Sequence, residues 1–146
     1  MSRFRSTKRF NGFSTAFRQW RSVHSHCQYL HGYSISFKVW FEGEVDERNW
    51  VADFGDLDAV KHWLADLLDH TTVVAEDDPL LDLYKEMEKQ EMIQLRTVPH
   101  VGCERFAELV FNFINQYIQE KTAKRIRVVQ VECFEDGTKN SAIYLE

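Results

Sequence analysis

The chain has 146 residues, a formal net charge of −5 at pH 7 and 44% hydrophobic residues, which is enough for a single domain, residues 1–146, with its own core. Because the charge is negative and the basic residues form no long run, we do not expect nucleic acid as a partner. We also expect no membrane partner and a cytoplasmic location, since no segment has transmembrane length or the apolar centre of a signal peptide. The three cysteines are widely spaced and odd in number, which favours free thiols over disulfides.

Alternating apolar residues predict two strands in the first third of the chain. The first covers residues 8–18, and the second covers residues 34–43, where every second residue from Ile35 to Phe41 is apolar. Between them, residues 19–33 form a polar and aromatic loop that contains three histidines and a cysteine. We expect the two strands to pair as an antiparallel ribbon.

Helical spacing of apolar residues follows in the middle of the chain. It predicts a helix over residues 56–68, with Asp56 as its N-cap, and a second helix over residues 103–121. The charged and weakly amphipathic segment 80–93 is a third helical candidate. The β-branched stretch 71–75 is expected to be extended.

The end of the chain has the pattern of a hairpin. Residues 125–134 and 141–145 alternate in polarity and flank an Asp136-Gly137 turn. The resulting order β-β-α-α-β-β predicts an α+β domain, an antiparallel four-stranded sheet with two helices on one face. The other face of this sheet is then available to pack against a second subunit.

Six short segments, in the same order and at similar spacing, resemble those of the 6-pyruvoyl-tetrahydropterin synthase / 6-carboxy-tetrahydropterin synthase family, the second of which acts in the queuosine pathway. The resemblance covers nearly the full length and implies the tunnelling architecture, or T-fold. The segments are Phe13–Ala16, Cys27 with Leu30–Gly32, Val51–Phe54, Leu68–His70, Gly102–Ala107, and Val131–Glu132 with Ala142–Tyr144.

The resemblance implies a lyase-type reaction on dihydroneopterin triphosphate or a related pterin or 7-deazapurine precursor. Carried over, Cys27 is the general base, and Asp69 and His70 relay protons from a neighbouring subunit. Glu132 anchors the pterin ring, and Glu104 is a second substrate contact. The family also implies a homohexamer made of two trimers.

The family holds a zinc ion with three histidines, and here the resemblance departs from its pattern. The three ligand positions carry Phe17, His31 and Tyr33. Phenylalanine has no donor atom, and neutral tyrosine is a poor zinc ligand, so His31 alone is competent for the metal. Zinc in the family stabilises negative charge that develops on substrate oxygens. We therefore expect zinc binding to be weak or absent, unless His24, His26, Cys27 and His31 form a relocated site.

Each candidate residue also has a structural interpretation. Cys27 is then a small loop residue, and the Asp69-His70 pair ends a helix, where histidine complements the helix dipole. Glu104 is a favourable first-turn charge. Glu132 is harder to explain structurally, because a carboxylate in an apolar strand needs a partner.

Three functions therefore remain open from the sequence. The first is a tetrahydropterin synthase-like enzyme that uses Cys27, Asp69 and His70. The second is a catalytically inactive, metal-free homo-oligomer that binds pterins or purines. The third is a structural or regulatory homo-oligomer in which the matching residues have lost their roles.

Overall fold

The computed structural model describes residues 3–146, and a six-stranded mixed sheet is its largest feature. The strands are β1 (Phe4–Phe17), β2 (His31–Gly43), β3 (Thr71–Ala75), β4 (Leu95–Val98), β5 (Ile126–Glu135) and β6 (Asn140–Leu145). Their order across the sheet is β4-β3-β1-β2-β5-β6. The pairs β1–β2, β2–β5 and β5–β6 are antiparallel, whereas β3 is parallel to both β1 and β4.

Three α-helices complete the fold: α1 (Asp58–Leu68), α2 (Leu81–Lys89) and α3 (Cys103–Lys121). The turn Phe54–Leu57 leads into α1, and Asp53 caps it by accepting a hydrogen bond from the Gly55 amide at 2.9 Å. Helix α3 has the bounds predicted from the apolar periodicity. Helix α1 ends at residue 68 as predicted but begins at Asp58, and the prediction of Asp56 as its N-cap is wrong, because Leu57 precedes the helix and no side chain caps it. Within residues 3–146, no helix is long and apolar enough to cross a membrane.

A single hydrophobic core joins one face of the sheet to α1 and α3. The strands contribute alternate residues, such as Ile35, Phe37 and Val39 of β2, which are fully buried. The helices contribute residues at helical spacing, including Phe106 and Ile114 of α3. The period of two in the strands and of 3.6 in the helices therefore places the apolar stripes against each other.

The β1–β2 ribbon carries most of the residues of interest. Its register is regular from Phe13 to Phe17, which pair with Ile35 and His31. Before Phe13 the register shifts at a bulge that contains Gly12, whose φ of 89° suits glycine. The second strand begins at His31 rather than at residue 34, so the final histidine of the predicted loop lies on a strand.

The α+β class is confirmed, but the sheet has six strands rather than four, and residues 3–146 form three α-helices rather than two. The additional strands are β3 and β4, and segment 80–93 supplies α2 over nine residues. Strand β4 is only four residues long and half polar, so its own sequence gives a weak strand signal. Its pairing with β3 depends on a parallel connection through α2, which local periodicity does not reveal.

Candidate functional site

The three positions that correspond to zinc ligands lie together at one end of the β1–β2 ribbon. The rings of Phe17 and Tyr33 are stacked, with centroids 4.0 Å apart and planes 14° apart. The His31 ring lies 4.2 Å from that of Tyr33. Phe17 is completely buried and also meets the edge of Phe106 from α3. The structure therefore fills this position with an aromatic stack, Phe17–Tyr33–His31.

The side chains of this stack do not fit zinc. Phe17 offers no lone pair, and burial, followed by the proximity of Cys27, raises the pKa of Tyr33, so its oxygen stays protonated at neutral pH. His31 donates a hydrogen bond from Nδ1 to the carbonyl oxygen of Tyr29 at 2.9 Å, so in the neutral ring Nε2 carries the lone pair, and it is the single competent ligand atom of the stack.

The relocated site considered from the sequence does not form within one chain. Among residues 3–146, no three histidine, cysteine, aspartate or glutamate side chains are grouped so that they could hold a metal ion. Of the four loop candidates, His24, His26 and His31 are exposed, and Cys27 is half-buried.

The Tyr33 hydroxyl is an unusual feature of the stack. The residue is 95% buried, as its relative exposure is 5%, and its hydroxyl oxygen has no hydrogen-bond partner among the described residues. Burial raises the pKa of this hydroxyl most, and Cys27, Glu135 and Asp136 raise it further; the Cys27 side chain is a close neighbour but does not meet the distance and angle of a hydrogen bond with it. A buried hydroxyl without a partner costs stability.

We expect Tyr33→Phe to stabilise the ligand-free protein, because it removes the unpaired hydroxyl and keeps the stacked ring. The expected gain is about 1 kcal/mol, or about 2–4 °C in Tm. Differential scanning calorimetry checks it, with Tyr144→Phe on β6 as the control, since that ring is not in the stack. A lower Tm for Tyr33→Phe would show that the hydroxyl is hydrogen-bonded in solution.

Cys27 lies in a short helical turn, His26–Gln28, that begins at the cap residue Ser25. The Ser25 hydroxyl oxygen accepts a hydrogen bond from the Cys27 amide at 3.1 Å. The Cys27 carbonyl accepts one from the Gln19 amide at 2.8 Å, which closes the loop onto the end of β1. These contacts hold the half-buried Cys27 thiol beside the aromatic stack. The thiol therefore remains accessible to solvent or to a ligand.

Asp69 and His70 form a separate pair beyond the end of α1. The Asp69 carboxylate accepts a hydrogen bond from the Ser14 amide at 3.1 Å, and this bond, with help from His70, lowers the pKa of Asp69. His70 places Nδ1 3.1 Å from Asp69 Oδ1 and has a positive φ of 59°, while its side chain is 78% exposed. Among residues 3–146, no hydrogen bond or salt bridge joins this pair to Cys27.

Glu132 lies on the face of the sheet that points away from the helices. It pairs with Lys38 across β2 and accepts a hydrogen bond from the Ser141 hydroxyl at 2.7 Å. Its neighbours Val131 and Cys133 point into the core instead. Glu132 is therefore remote from the aromatic stack, on the other side of β5.

Glu135 is the carboxylate of β5 that faces the stack. It follows the alternation of Val131 and Cys133 and lies near Tyr33. The Cys103 thiol, at the start of α3, donates to Glu135 Oε2 at 3.7 Å. Sequence analysis missed this residue, although counting alternate positions along β5 from the buried valine would have indicated it.

Glu104 is exposed in the first turn of α3, next to Cys103. The preceding Gly102 has a φ of 114°, and a Cβ built on it would lie 3.4 Å from the Gln19 side chain and 3.7 Å from that of Glu104. The backbone conformation favours a glycine here, whereas the neighbours alone would leave room for a Cβ at ordinary contact distances. The start of α3, Glu135 and the Cys27 loop are thus adjacent.

Comparison with known proteins identifies the family of the chain. The sequence profile of the family described as 6-pyruvoyl tetrahydropterin synthase matches residues 6–146. Two archaeal relatives are provisionally named 6-carboxy-5,6,7,8-tetrahydropterin synthases. The relative from Pyrococcus abyssi is 28% identical over 83% of this chain and 78% of its own, and that from Archaeoglobus fulgidus is 26% identical over 83% and 87%.

Solved structures show the same fold. An uncharacterized protein from Wolinella succinogenes superposes with a TM-score of 0.85 at 21% identity, over 100% of this chain and 99% of that one. The 6-pyruvoyl tetrahydropterin synthase of Caenorhabditis elegans superposes with a TM-score of 0.63 at 18% identity, over 99% and 95%. The T-fold expected from the sequence is therefore confirmed. The chain belongs to the family of 6-pyruvoyl and 6-carboxy tetrahydropterin synthases.

Proposed function

We propose that this protein acts on a pterin-type substrate, in a lyase-type reaction of the tetrahydropterin synthase kind. The substrate class is dihydroneopterin triphosphate or a related pterin or 7-deazapurine precursor. The observation that carries the proposal is the grouping of Cys27, Tyr33 and Glu135 beside the start of α3. A thiol, a buried phenol and a carboxylate in one place can hold a heterocycle and move protons on it.

Cys27 is the proposed general base. Its thiol is half-buried on a loop that is tied to β1, so its position is fixed while one side remains accessible. A thiolate accepts a proton from a carbon or hydroxyl group of the bound substrate, and the thiol returns it at another atom. The neutral Tyr33 hydroxyl, whose pKa is raised, does not compete as a base, and its unused proton is available for one hydrogen bond to a bound substrate.

Asp69 and His70 are proposed to complete the site from a second copy of the chain. Within one chain the Asp69 carboxylate accepts a hydrogen bond from the Ser14 amide and meets the His70 ring, and among residues 3–146 no hydrogen bond or salt bridge joins the pair to Cys27. His70 is exposed and held in a left-handed conformation, which is a strained geometry that is often kept for function. We accordingly propose a homo-oligomer, with a hexamer of two trimers as its form.

The pterin anchor is proposed to be Glu135, with Glu132 as the alternative indicated by the sequence resemblance. A carboxylate that accepts two N–H groups of a guanidine-like ring edge forms charge-assisted hydrogen bonds. Glu135 lies on the same face as Tyr33, whereas Glu132 is already bonded to Ser141 on the opposite face. Glu104, at the exposed start of α3, is proposed as a second contact.

We expect Glu135→Gln to weaken neopterin binding by about 10- to 100-fold, since a charge-assisted hydrogen bond contributes about 1.5–3 kcal/mol. Glu132→Gln is the matched control and should leave affinity within about twofold. Quenching of tryptophan or pterin fluorescence measures the dissociation constant of neopterin for each of the two variants. The opposite ranking of the two variants would assign the anchor to Glu132.

A second candidate function is favoured by the filled zinc position. The Phe17–Tyr33–His31 stack packs at the place where the family has its metal, which suits a protein that binds pterins or purines without converting them. A lyase and a non-catalytic binding protein are both expected to bind neopterin. Only the lyase is expected to convert the substrate to product.

The deciding experiment supplies dihydroneopterin triphosphate to the purified protein and follows the pterin products by chromatography. The assay is run in chelator and again with added zinc. Product formation that depends on enzyme concentration supports the lyase. Tight binding of neopterin without any product in either condition supports the binding function, and no binding of either ligand would refute both.

A further inference from the structure

Gln94 lies directly before β4, outside every segment that carries the family resemblance. Its carbonyl oxygen accepts a hydrogen bond from the Thr72 amide of β3 at 2.9 Å. The amide of the next residue, Leu95, donates to Glu88 Oε2 of α2 at 2.7 Å. The backbone at Gln94 is thus tied to β3 on one side and to α2 on the other, so its side chain extends from a fixed point of the fold.

The Gln94 side chain reaches the backbone of His70. Its Nε2 donates a hydrogen bond to the His70 carbonyl oxygen at 3.0 Å. The His70 amide donates to the Ser14 carbonyl oxygen at 2.6 Å. Both polar backbone groups of His70 are therefore bonded to other segments, one to β1 and one to the residue before β4. These two bonds hold a φ of 59°, which is uncommon for a residue other than glycine.

The backbone conformation of His70 decides where its imidazole ring lies. Nδ1 is 3.1 Å from Asp69 Oδ1, and the same oxygen accepts the hydrogen bond from the Ser14 amide. A histidine nitrogen that faces a carboxylate carries the proton in the neutral ring, which leaves the other nitrogen as the one that can accept a proton. Rotation of the His70 backbone would move the ring away from Asp69, since one peptide group joins the two residues.

The contact with Gln94 leaves the His70 ring accessible. The hydrogen bond is made to the backbone rather than to the imidazole, and the His70 side chain is 78% exposed. His70 and Gln94 line one open pocket of about 410 Å³, whose other walls come from the end of α2 and the residues before β4. Gln94 can therefore orient the ring without blocking Nε2.

We propose that Gln94 is the positioning residue of the Asp69–His70 pair. Its amide holds the His70 backbone so that Nδ1 stays on Asp69 and Nε2 is free to exchange a proton. The inference rests on the proposed function for the proton relay in which the pair takes part, whereas the hydrogen bonds that support it lie within one chain. Because the His70 carbonyl oxygen can only accept, residue 94 must supply a donor.

The test variant is Gln94→Glu, which keeps the length of the side chain but replaces the N–H donor by an oxygen that the His70 carbonyl repels. Gln94→Lys restores a donor at a similar reach and is the rescue variant. The matched control is Gln90→Glu. Gln90 is exposed at the end of α2, where its Nε2 donates to Glu86 Oε1 at 3.0 Å, and it undergoes the same chemical change four residues away.

Proton–nitrogen correlation spectra of the imidazole rings, recorded on the full chain at a pH where His70 is neutral, show which nitrogen carries the proton. We expect Nδ1–H in the wild type, in Gln90→Glu and in Gln94→Lys. In Gln94→Glu we expect mostly Nε2–H, the preferred form of a histidine that is free in water. The His70→Ala variant identifies the signal. An unchanged tautomer in Gln94→Glu overturns the inference, whatever reaction the protein catalyses.

Turnover of dihydroneopterin triphosphate separates failure of this role from failure of the proposed function. We expect kcat to be about tenfold lower in Gln94→Glu with KM within about twofold, and most of the rate to return in Gln94→Lys. Wild-type kcat in a Gln94→Glu protein that has lost the tautomer would overturn the role, because the reaction would not need the oriented ring. If the tautomer depends on Gln94 but the wild type forms no product, the orientation of His70 by Gln94 stands and the proposed lyase function falls.

Discussion

The double variant Phe17→His with Tyr33→His is expected to bind about one zinc ion per chain, whereas the wild type should purify with little. Phe17 and Tyr33 lie on adjacent strands. The centroid of the Tyr33 ring is 4.0 Å from that of Phe17 and 4.2 Å from that of His31. With His31 they would supply three imidazoles and an open fourth position, which is a common catalytic zinc geometry. The bond from His31 Nδ1 to the Tyr29 carbonyl already directs Nε2 outward as a ligand.

The cost of this change is a less stable metal-free protein. Phe17 is fully buried against Phe106, and a polar ring there loses apolar contacts. Bound zinc should offset this loss of stability. A ligand whose free concentration is a thousand times its dissociation constant stabilises the folded state by about 4 kcal/mol. The variant should therefore melt early in chelator and markedly later with zinc.

Elemental analysis gives the zinc content, and calorimetry gives the shift in Tm. The control is the same double variant with His31→Ala, which removes the third ligand from an exposed position. Equal zinc contents in the double and triple variants would mean that the metal binds elsewhere. Stoichiometric zinc in the wild type would contradict the description of the stack as a closed, metal-free position.

Loss of Cys27 is expected to lower turnover by about 10²- to 10⁴-fold, the usual contribution of a general base. The test is Cys27→Ala, assayed with dihydroneopterin triphosphate beside Cys133→Ala. Cys133 is fully buried, and burial raises the pKa of its thiol, so it should not act as a base. Neopterin affinity should change little in Cys27→Ala, because the pterin anchor is a different side chain.

A mixing experiment tests whether the catalytic groups come from two copies. Asp69→Asn should be as inactive as Cys27→Ala, yet co-refolded mixtures of the two should regain activity. If Cys27 of one subunit meets Asp69 of another, random 1:1 mixing restores about a quarter of the sites. Activity no higher than that of the separate variants would place all three groups in one chain. The control is the wild-type protein refolded in the same way, which gives the activity of a sample in which every site is intact.

The aromatic stack contains a polar group that costs the folded protein stability. The unpaired Tyr33 hydroxyl is costly to bury, and phenylalanine would avoid that cost. A costly polar group persists in a core when it has a partner in another state of the protein, such as a ligand or a charged neighbour. The thiolate form of Cys27, which lies beside this hydroxyl, is one such neighbour.

Local pattern determined much of this protein. Apolar periodicity predicted α3 from Cys103 to Lys121, as observed, because a helix repeats every 3.6 residues whatever surrounds it. The Asp136-Gly137 turn was predicted from residue type, and both residues have positive φ. The side chains at Phe17 and Tyr33 likewise excluded the family's zinc ligands from sequence alone, since donor chemistry belongs to the residue.

Only the tertiary structure decided which residues meet. The pairing of β3 with β1 and β4 depends on parallel connections, and these leave no local signature. Whether Glu132 or Glu135 faces the stack depends on which face of β5 each side chain occupies. The two residues are an odd number of positions apart, so they point to opposite faces of the sheet. A surface pocket lined by Trp20, Asp77 and Arg105 likewise joins three segments whose proximity is a property of packing and not of any one stretch of sequence.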